Sequence, residues 1–264
     1  MFTVKRRLAA LLLVSSCLGT AFAQDLAPEL DCNARWLQRD DQVYCEIREL
    51  TMQAADLLSV NGGAAGGVHI SGWDGAEVRV RAQVIAWARD TEAAREAVEQ
   101  VVIRTDGVLR AERPGQGRGS WAVNYEIRAP RGTDIRVEAT NGAISVADIA
   151  GDLDLETTNG RIALADVAGT LSAESTNGAI EVTLAGRSFD GESIDLEATN
   201  GAVTLRVPEA FSAALDARSV NGGIHVDFPI DVEGRARNWL EAALGSGGPP
   251  VRVRTTNGAV RITH

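Results

Sequence analysis

Apolar and polar residues alternate along most of the chain with a period of two. Ile135, Val137 and Ala139 stand before an Asn-Gly pair, and Ile144 and Val146 stand after it. One unit later, Leu153, Leu155, Ile162 and Leu164 repeat the arrangement. Such alternation predicts half-buried strands whose intervening residues face water. The outward set includes Glu138, Asp152, Asp154, Glu156, Glu174, Glu181, Asp195 and Glu197. Trp121, Val123, Tyr125 and Ile127 alternate in a further strand ending at Ala129-Pro130, and Val78, Val80, Ala82 and Val84 in another. Thr91 to Val102 has helical spacing instead, with Asp90 as N-cap and Ala94, Ala97, Val98 and Val101 on one face. A second short helix is expected over Ala236 to Leu244, ahead of the loop Gly245-Ser246-Gly247-Gly248-Pro249-Pro250. Val251, Val253, Val260 and Ile262 then supply a closing pair of strands.

Self-similarity is the strongest signal. Asn-Gly recurs at Asn61-Gly62, Asn141-Gly142, Asn159-Gly160, Asn177-Gly178, Asn200-Gly201, Asn221-Gly222 and Asn257-Gly258. From Asn141 onward the steps are 18, 18, 23, 21 and 36 residues by subtraction. A period of this size marks a serially repeated β-unit. In an antiparallel hairpin meander each Asn-Gly would form a type I′ turn. In a solenoid the same Asn would recur at one corner of successive coils, its side chain bonded to its copies. A second Gly-containing corner at Ala150-Gly151, Ala168-Gly169 and Ala185-Gly186 favours coils. The expected fold is therefore all-β, a right-handed parallel β-helix-like solenoid with one capping helix over an open edge or end, with the meander as alternative.

The first residues of the 264 form a leader. Lys5, Arg6 and Arg7 precede an apolar stretch from Leu8 to Leu18, and Ala21 and Ala23 form a small-residue cleavage site before Gln24. The apolar stretch is shorter than the roughly 20 residues that span a bilayer, and no later segment is long and apolar enough. Val14-Ser15-Ser16-Cys17 loosely matches a lipoprotein processing site, which would anchor the chain through Cys17 to the outer membrane. Past the leader, Cys32 and Cys45 remain and are expected to form one disulfide, as two cysteines do in an oxidising compartment. Zinc is the competing reading, but no partners sit at ligand spacing. The chain then divides into a signal peptide (1–23), a disulfide-bearing segment (24–49) and a β-strand-repeat domain (50–264), in a periplasmic or secreted protein.

Charge narrows the partners. The formal charge is −10, and −13 without the three basic leader residues. Between residues 133 and 204, 13 acids face three bases (Arg136, Arg161, Arg187), so most of the charge sits on the repeat. That balance disfavours nucleic acid and anionic lipid. Every basic residue after the leader is Arg, which composition explains better than binding forks.

Candidate chemistry is sparse. His69, His225 and His264 lie without a nucleophile pattern, and Gly115-Gln-Gly117-Arg-Gly119 lacks the lysine of a phosphate loop. Asp152, Asp154 and Glu156 share a strand and suggest Ca²⁺, or the carboxylates of a polysaccharide lyase or hydrolase, but regular outward acids more often form a solvated face. Residues 130 to 188 contain no aromatic platform for a sugar. Trp73, Trp87 and Trp121 lie in the N-terminal half. Trp87 shares a face with Arg79 and Arg81, and cover by the neighbouring helix explains it. A ligand groove, if present, belongs there. No catalytic residue, metal ligand or cofactor is assigned.

Several motifs together resemble a known family. They are Leu58-Ser59-Val60-Asn61-Gly62, Val68-His69-Ile70-Ser71-Gly72-Trp73, Tyr125-Glu126-Ile127-Arg128-Ala129-Pro130-Arg131-Gly132, the Thr-Asn-Gly-Ala units, and Gly247-Gly248-Pro249-Pro250-Val251 followed by Thr256-Asn257-Gly258. From about residue 50 to 264 the chain is similar to the exported bacterial β-strand-repeat adhesin family, the DUF4097 or toast-rack domains. The resemblance implies a parallel β-helix-like fold in the cell envelope and an adhesive or scaffolding role, with no catalytic residues to transfer. The expected function is a non-enzymatic envelope protein binding an unidentified envelope protein or surface glycan. A carbohydrate-active enzyme and an envelope-stress sensor are the alternatives.

Overall fold

The computed structural model describes residues 30–34, 37, 42–115, 119–186, 189, 191–236 (231–236 by backbone alone) and 238–264. The leader with Cys17, and also Gly117 and Arg187, lie outside the described residues. In chain order the elements begin β1 (Val43–Gln53), β2 (Leu57–Gly63), β3 (Val68–Trp73), β4 (Glu77–Trp87), α1 (Thr91–Glu99), β5 (Val102–Arg104), β6 (Val108–Glu112) and β7 (Ser120–Pro130). The repeat follows as β8 (Asp134–Asn141), β9 (Ile144–Ala147), β10 (Leu153–Asn159), β11 (Ile162–Val167), β12 (Leu171–Asn177), β13 (Ile180–Leu184), β14 (Ile194–Asn200) and β15 (Val203–Arg206). The chain continues with β16 (Ala213–Ser219), β17 (Ile224–Val226), β18 (Asp231–Ala236), β19 (Trp239–Leu244), β20 (Pro250–Asn257) and β21 (Val260–Thr263).

These strands form two large, mostly parallel sheets. The first has the order β1-β4-β7-β3-β9-β11-β13-β15-β21-β17, the second β18-β19-β16-β20-β14-β12-β10-β8-β2-β6-β5. The strands flanking an Asn-Gly pair lie in different sheets, so the meander is excluded: β10 pairs with β8 and β12, while β11 pairs with β9 and β13, all parallel. Each coil crosses the second sheet, turns at Asn-Gly, and returns along the first. Alternation sends one side chain in two inward. Ile135, Val137, Leu153, Leu155, Ile162, Leu164, Ile180 and Leu196 join a single buried core between the sheets.

The stacking order of the coils departs from chain order at both ends. Coil β2/β3 is inserted between β6/β7 and β8/β9, and coil β20/β21 between β14/β15 and β16/β17. The connections from β7 to β8 and from β15 to β16 each skip one level, and the skipped level is filled by a coil from elsewhere in the chain.

Each end is closed differently. At one end β4 and β1 extend the first sheet antiparallel, and α1 lays Ala94, Ala97 and Val98 against its inner face. Asp90 caps the helix, its Oδ1 accepting from the Ala93 N–H at 2.8 Å. Arg48 from β1 donates to the Val98 carbonyl at 2.8 Å and also to that of Val101. The helix ends at Glu99, and Val102 already belongs to β5. At the other end β19 and β18 extend the second sheet antiparallel. The helix expected over 236–244 is strand β19 instead. Leu240, Ala242 and Leu244 are buried and Trp239, Glu241 and Ala243 half-buried, a period of two. Leu, Glu and Ala favour helix locally, but pairing along the whole of β16 outweighs that preference.

Candidate binding surface

The two corners of the coil are built by different means. At the Asn-Gly corner, asparagine amides form a continuous ladder. Asn159 Nδ2 donates to Asn141 Oδ1 at 2.8 Å, Asn177 to Asn159 at 2.8 Å, Asn200 to Asn177 at 2.9 Å, Asn257 to Asn200 at 2.7 Å and Asn221 to Asn257 at 2.8 Å. Asn61 stands apart. A register shift in β2 pairs it with Glu138, its Oδ1 accepts from Gly63 N–H, and Asn141 donates to the Ala64 carbonyl at 2.7 Å in its place. The glycines are required by proximity rather than by turn type. A Cβ on Gly160 would lie 2.0 Å from the Gly142 carbonyl oxygen, and one on Gly178 1.9 Å from that of Gly160. Gly142, Gly201, Gly222 and Gly258 meet the same close approach.

Sequence reasoning missed the hydroxyl that completes this corner. Thr157, Ser175, Thr255 and Ser219 are buried and donate to the carbonyls of Gly142, Gly160, Gly201 and Gly258 at 2.8 to 3.2 Å. The signal was present as Thr or Ser two positions before Asn. At the second corner, Asp134 Oδ1 accepts from Asp152 N–H and Asp152 Oδ1 from Thr170 N–H, each at 2.9 Å. Gly151, Gly169 and Gly191 stack there. Gly191 takes the place expected of Gly186, because the coil is longer at that point.

The outer face of the second sheet carries the organised charge. Glu138, Glu156, Glu174 and Glu197 stand in register on four adjacent parallel strands, all exposed, and Arg254 continues the row. One residue pair away, Arg136 bonds Asp154 at 2.9 Å, and Arg252 lies 3.6 Å from Asp195. On the other side runs a row of exposed threonines, Thr140, Thr158, Thr176, Thr199 and Thr256. With strands about 4.8 Å apart and same-face residues about 6.7 Å apart, the surface is a regular lattice of carboxylates and hydroxyls. Burial, and then the charges of Glu197 and Glu156, raise the carboxyl pKa of Glu174. Like charges placed directly opposite destabilise a sheet.

The remaining candidates separate. Asp152 serves the corner while Asp154 and Glu156 face out, and among the described residues no cluster of three His, Cys, Asp or Glu could hold a metal ion. His69, on β3, places Nδ1 2.8 Å from Ser145 Oγ; burial lowers its pKa against the opposing charge of Glu126. Glu126 is itself held by Arg81 at 2.6 Å, so the group ties neighbouring strands together. His225 is exposed on β17, and His264 stacks on Phe228 with ring centres 4.0 Å apart. Trp73 does line a groove of about 650 Å³ with Arg79, Glu77 and Gln53. Its ring is already engaged, however, with the Arg79 guanidinium 4.3 Å from the ring centre and Gly75 against the ring where a Cβ would fall 2.1 Å away. Trp87 is covered from the side opposite α1, by Leu37, Val43 and Ile85. The helix packs on the inner face of β4, and Trp87 points outward. That outer patch is pinned by the Cys32–Cys45 disulfide, Cα atoms 5.5 Å apart, and by Gln83 donating to the Asp31 carbonyl.

The family model Toastrack DUF4097 matches residues 99–263. The chain belongs to the DUF4097 toast-rack family. Toast-rack describes the object well, two racks of parallel strands joined at regular corners. Among solved structures, a candidate cell adhesion protein of Clostridium sporogenes is 13% identical, covering 83% of this chain and 99% of that one with a TM-score of 0.48. A candidate adhesin of Bacteroides fragilis is 11% identical, covering 83% and 96% with a TM-score of 0.42. A candidate lipid-binding protein of Parabacteroides distasonis is 11% identical, covering 83% and 97% with a TM-score of 0.24. No curated protein matches the chain.

Proposed function

We propose that this toast-rack protein is a non-enzymatic, exported scaffold of the cell envelope that presents the outer face of its second sheet to a partner. The observation that carries the reading is the in-register row Glu138, Glu156, Glu174 and Glu197. Four like charges on adjacent strands oppose folding, so folding does not account for them. Rigidity supports the same reading, because each of the four strands that carry the row is bonded on both sides and their Asn-Gly corners are laddered. Export rests on the leader, residues 1–23, and on the disulfide, which belongs to oxidising compartments. No helix among the described residues is long and apolar enough to cross a membrane. Lipidation at Cys17, with the leader then ending at residue 16, is the alternative to cleavage after residue 23; the division at residues 24–49 and the right-handedness of the coils, the hand nearly all parallel-strand connections take, also belong to the proposal. Neither a carbohydrate-active site nor a sensing element gains a specific observation.

Fractionation of the native producer, followed by incubation of purified protein with its isolated envelopes, tests this reading. Recovery in the envelope fraction and saturable binding with no release of reducing sugar is the expected result. Release of sugar that scales with protein would replace the scaffold by the enzyme, and recovery in the cytoplasm would remove the envelope.

A further inference from the structure

Coil β20/β21 makes its strand pairs with segments remote from it in the chain. β20 lies between β14 and β16, and β21 between β15 and β17, in register on both sides. Val251, Val253, Val260 and Ile262 are fully buried. Asn257 both donates to Asn200 and accepts from Asn221, and Thr255 donates to the Gly201 carbonyl at 2.8 Å. The slot it fills therefore selects a strand–Asn-Gly–strand segment with a hydroxyl two positions before the Asn. The chain's own residues 250–263 have that sequence.

The preceding tether is short and specific. Gly245 to Pro249 leaves the end of β19, crosses the start of β16, and enters β20 two strand positions away, roughly 10 Å. Gly245, Gly247 and Gly248 have φ of 57°, 75° and 149°, backbone states that glycine alone adopts freely. Ser246 N–H donates to Ser212 Oγ at 3.2 Å as the loop passes over.

We propose that residues 250–263 exchange between two copies, each segment filling the slot between β14/β15 and β16/β17 of the other, to give a reciprocal dimer. Every pairing of the coil is preserved in the exchange, so the balance depends on concentration and on the crossover alone. Any chain beyond His264 travels with the segment.

The test uses the full chain with Cys32–Cys45 oxidised and Cys17→Ser. Thr199→Cys and Thr256→Cys are then added; the register Ala198↔Thr255 and Asn200↔Asn257 sets them side by side. Light scattering gives the dimer fraction, and a short bis-maleimide, which adds one thiol at each end, followed by a denaturing, non-reducing gel shows whether the pair is joined within or between chains. The expected result is covalent dimer in the same proportion as the scattered dimer. Deleting Gly247 and Gly248 strains the crossover and raises the dimer-to-monomer ratio by about tenfold or more, while inserting Gly-Ser-Gly-Ser after Gly248 lowers it. A dimer whose cross-links stay within one chain overturns the proposal. So does monomer at every concentration in both the unaltered and the shortened chain. If the shortened chain fails to fold, the unaltered and lengthened chains decide it, by presence and decline of between-chain product.

Discussion

A single methyl group on Gly160 would stand 2.0 Å from a carbonyl oxygen of the next coil, and the coils are too regular to move apart at one point. Gly160→Ala is expected to cost roughly 2–4 kcal/mol in chemical denaturation. Gly132→Ala, whose Cβ would meet nothing within 4 Å, should be near neutral. The hydroxyl of the same corner gives a matched pair. Thr157→Val leaves the Gly142 carbonyl without its 3.2 Å donor and should cost about 1 kcal/mol. Ala198 occupies the equivalent position in β14, and Ala198→Ser should gain about 0.5 kcal/mol by reaching Gly178. The importance of Asn-Gly was legible from its recurrence. The asparagine ladder followed from favouring coils, whereas the crowding that requires the glycine was not legible, because a type I′ turn asks for the same residue.

Glu174 links residue chemistry to pH. Its carboxyl pKa is raised in the folded protein, so folding favours the protonated form. That contribution is present below the ordinary carboxylate range and is lost as pH rises through the folded value, leaving a penalty near neutrality. Glu174→Gln should therefore melt higher than the unaltered protein at about pH 7 and equally at about pH 3, with the difference shrinking in high salt.

At the scale of elements, period-two alternation located the repeat strands because each buries one face and wets the other. Val146 and Leu155 are 0% and 1% exposed. Val146→Asp or Leu155→Asp should abolish cooperative melting by circular dichroism, the buried charge costing more than about 4 kcal/mol. Asp154→Ala, one position along and exposed, should melt within a few degrees of the unaltered chain. The same logic explains the one element misread. Leu240, Glu241, Ala242 and Ala243 form helices well in isolation, and nothing local in them announces that β16 waits beside them as a pairing edge. Asp90 with Ala94, Ala97 and Val98 was legible as a helix since its cap and its stripe agree.

For the whole molecule, the hidden feature was the order of the coils. The 36-residue step before Asn257 and the 80 residues between Asn61 and Asn141 were visible, but a repeat spacing says which units are alike, not which are adjacent. Inserting a coil at each end means that each terminal coil of the stack packs on a coil that does not directly adjoin it in the chain. The candidate surface was half legible: the acids were seen to face outward, whereas their alignment into one row depended on a parallel register that alternation leaves open. The direct measurement is co-sedimentation with isolated envelopes of the unaltered protein and of Glu138→Gln/Glu156→Gln/Glu174→Gln/Glu197→Gln, beside Arg161→Gln/Glu181→Gln on the opposite sheet. A loss of binding of about tenfold or more in the fourfold variant alone, with its fold retained by circular dichroism, is predicted. Equal retention of all three proteins would contradict the assignment of that face.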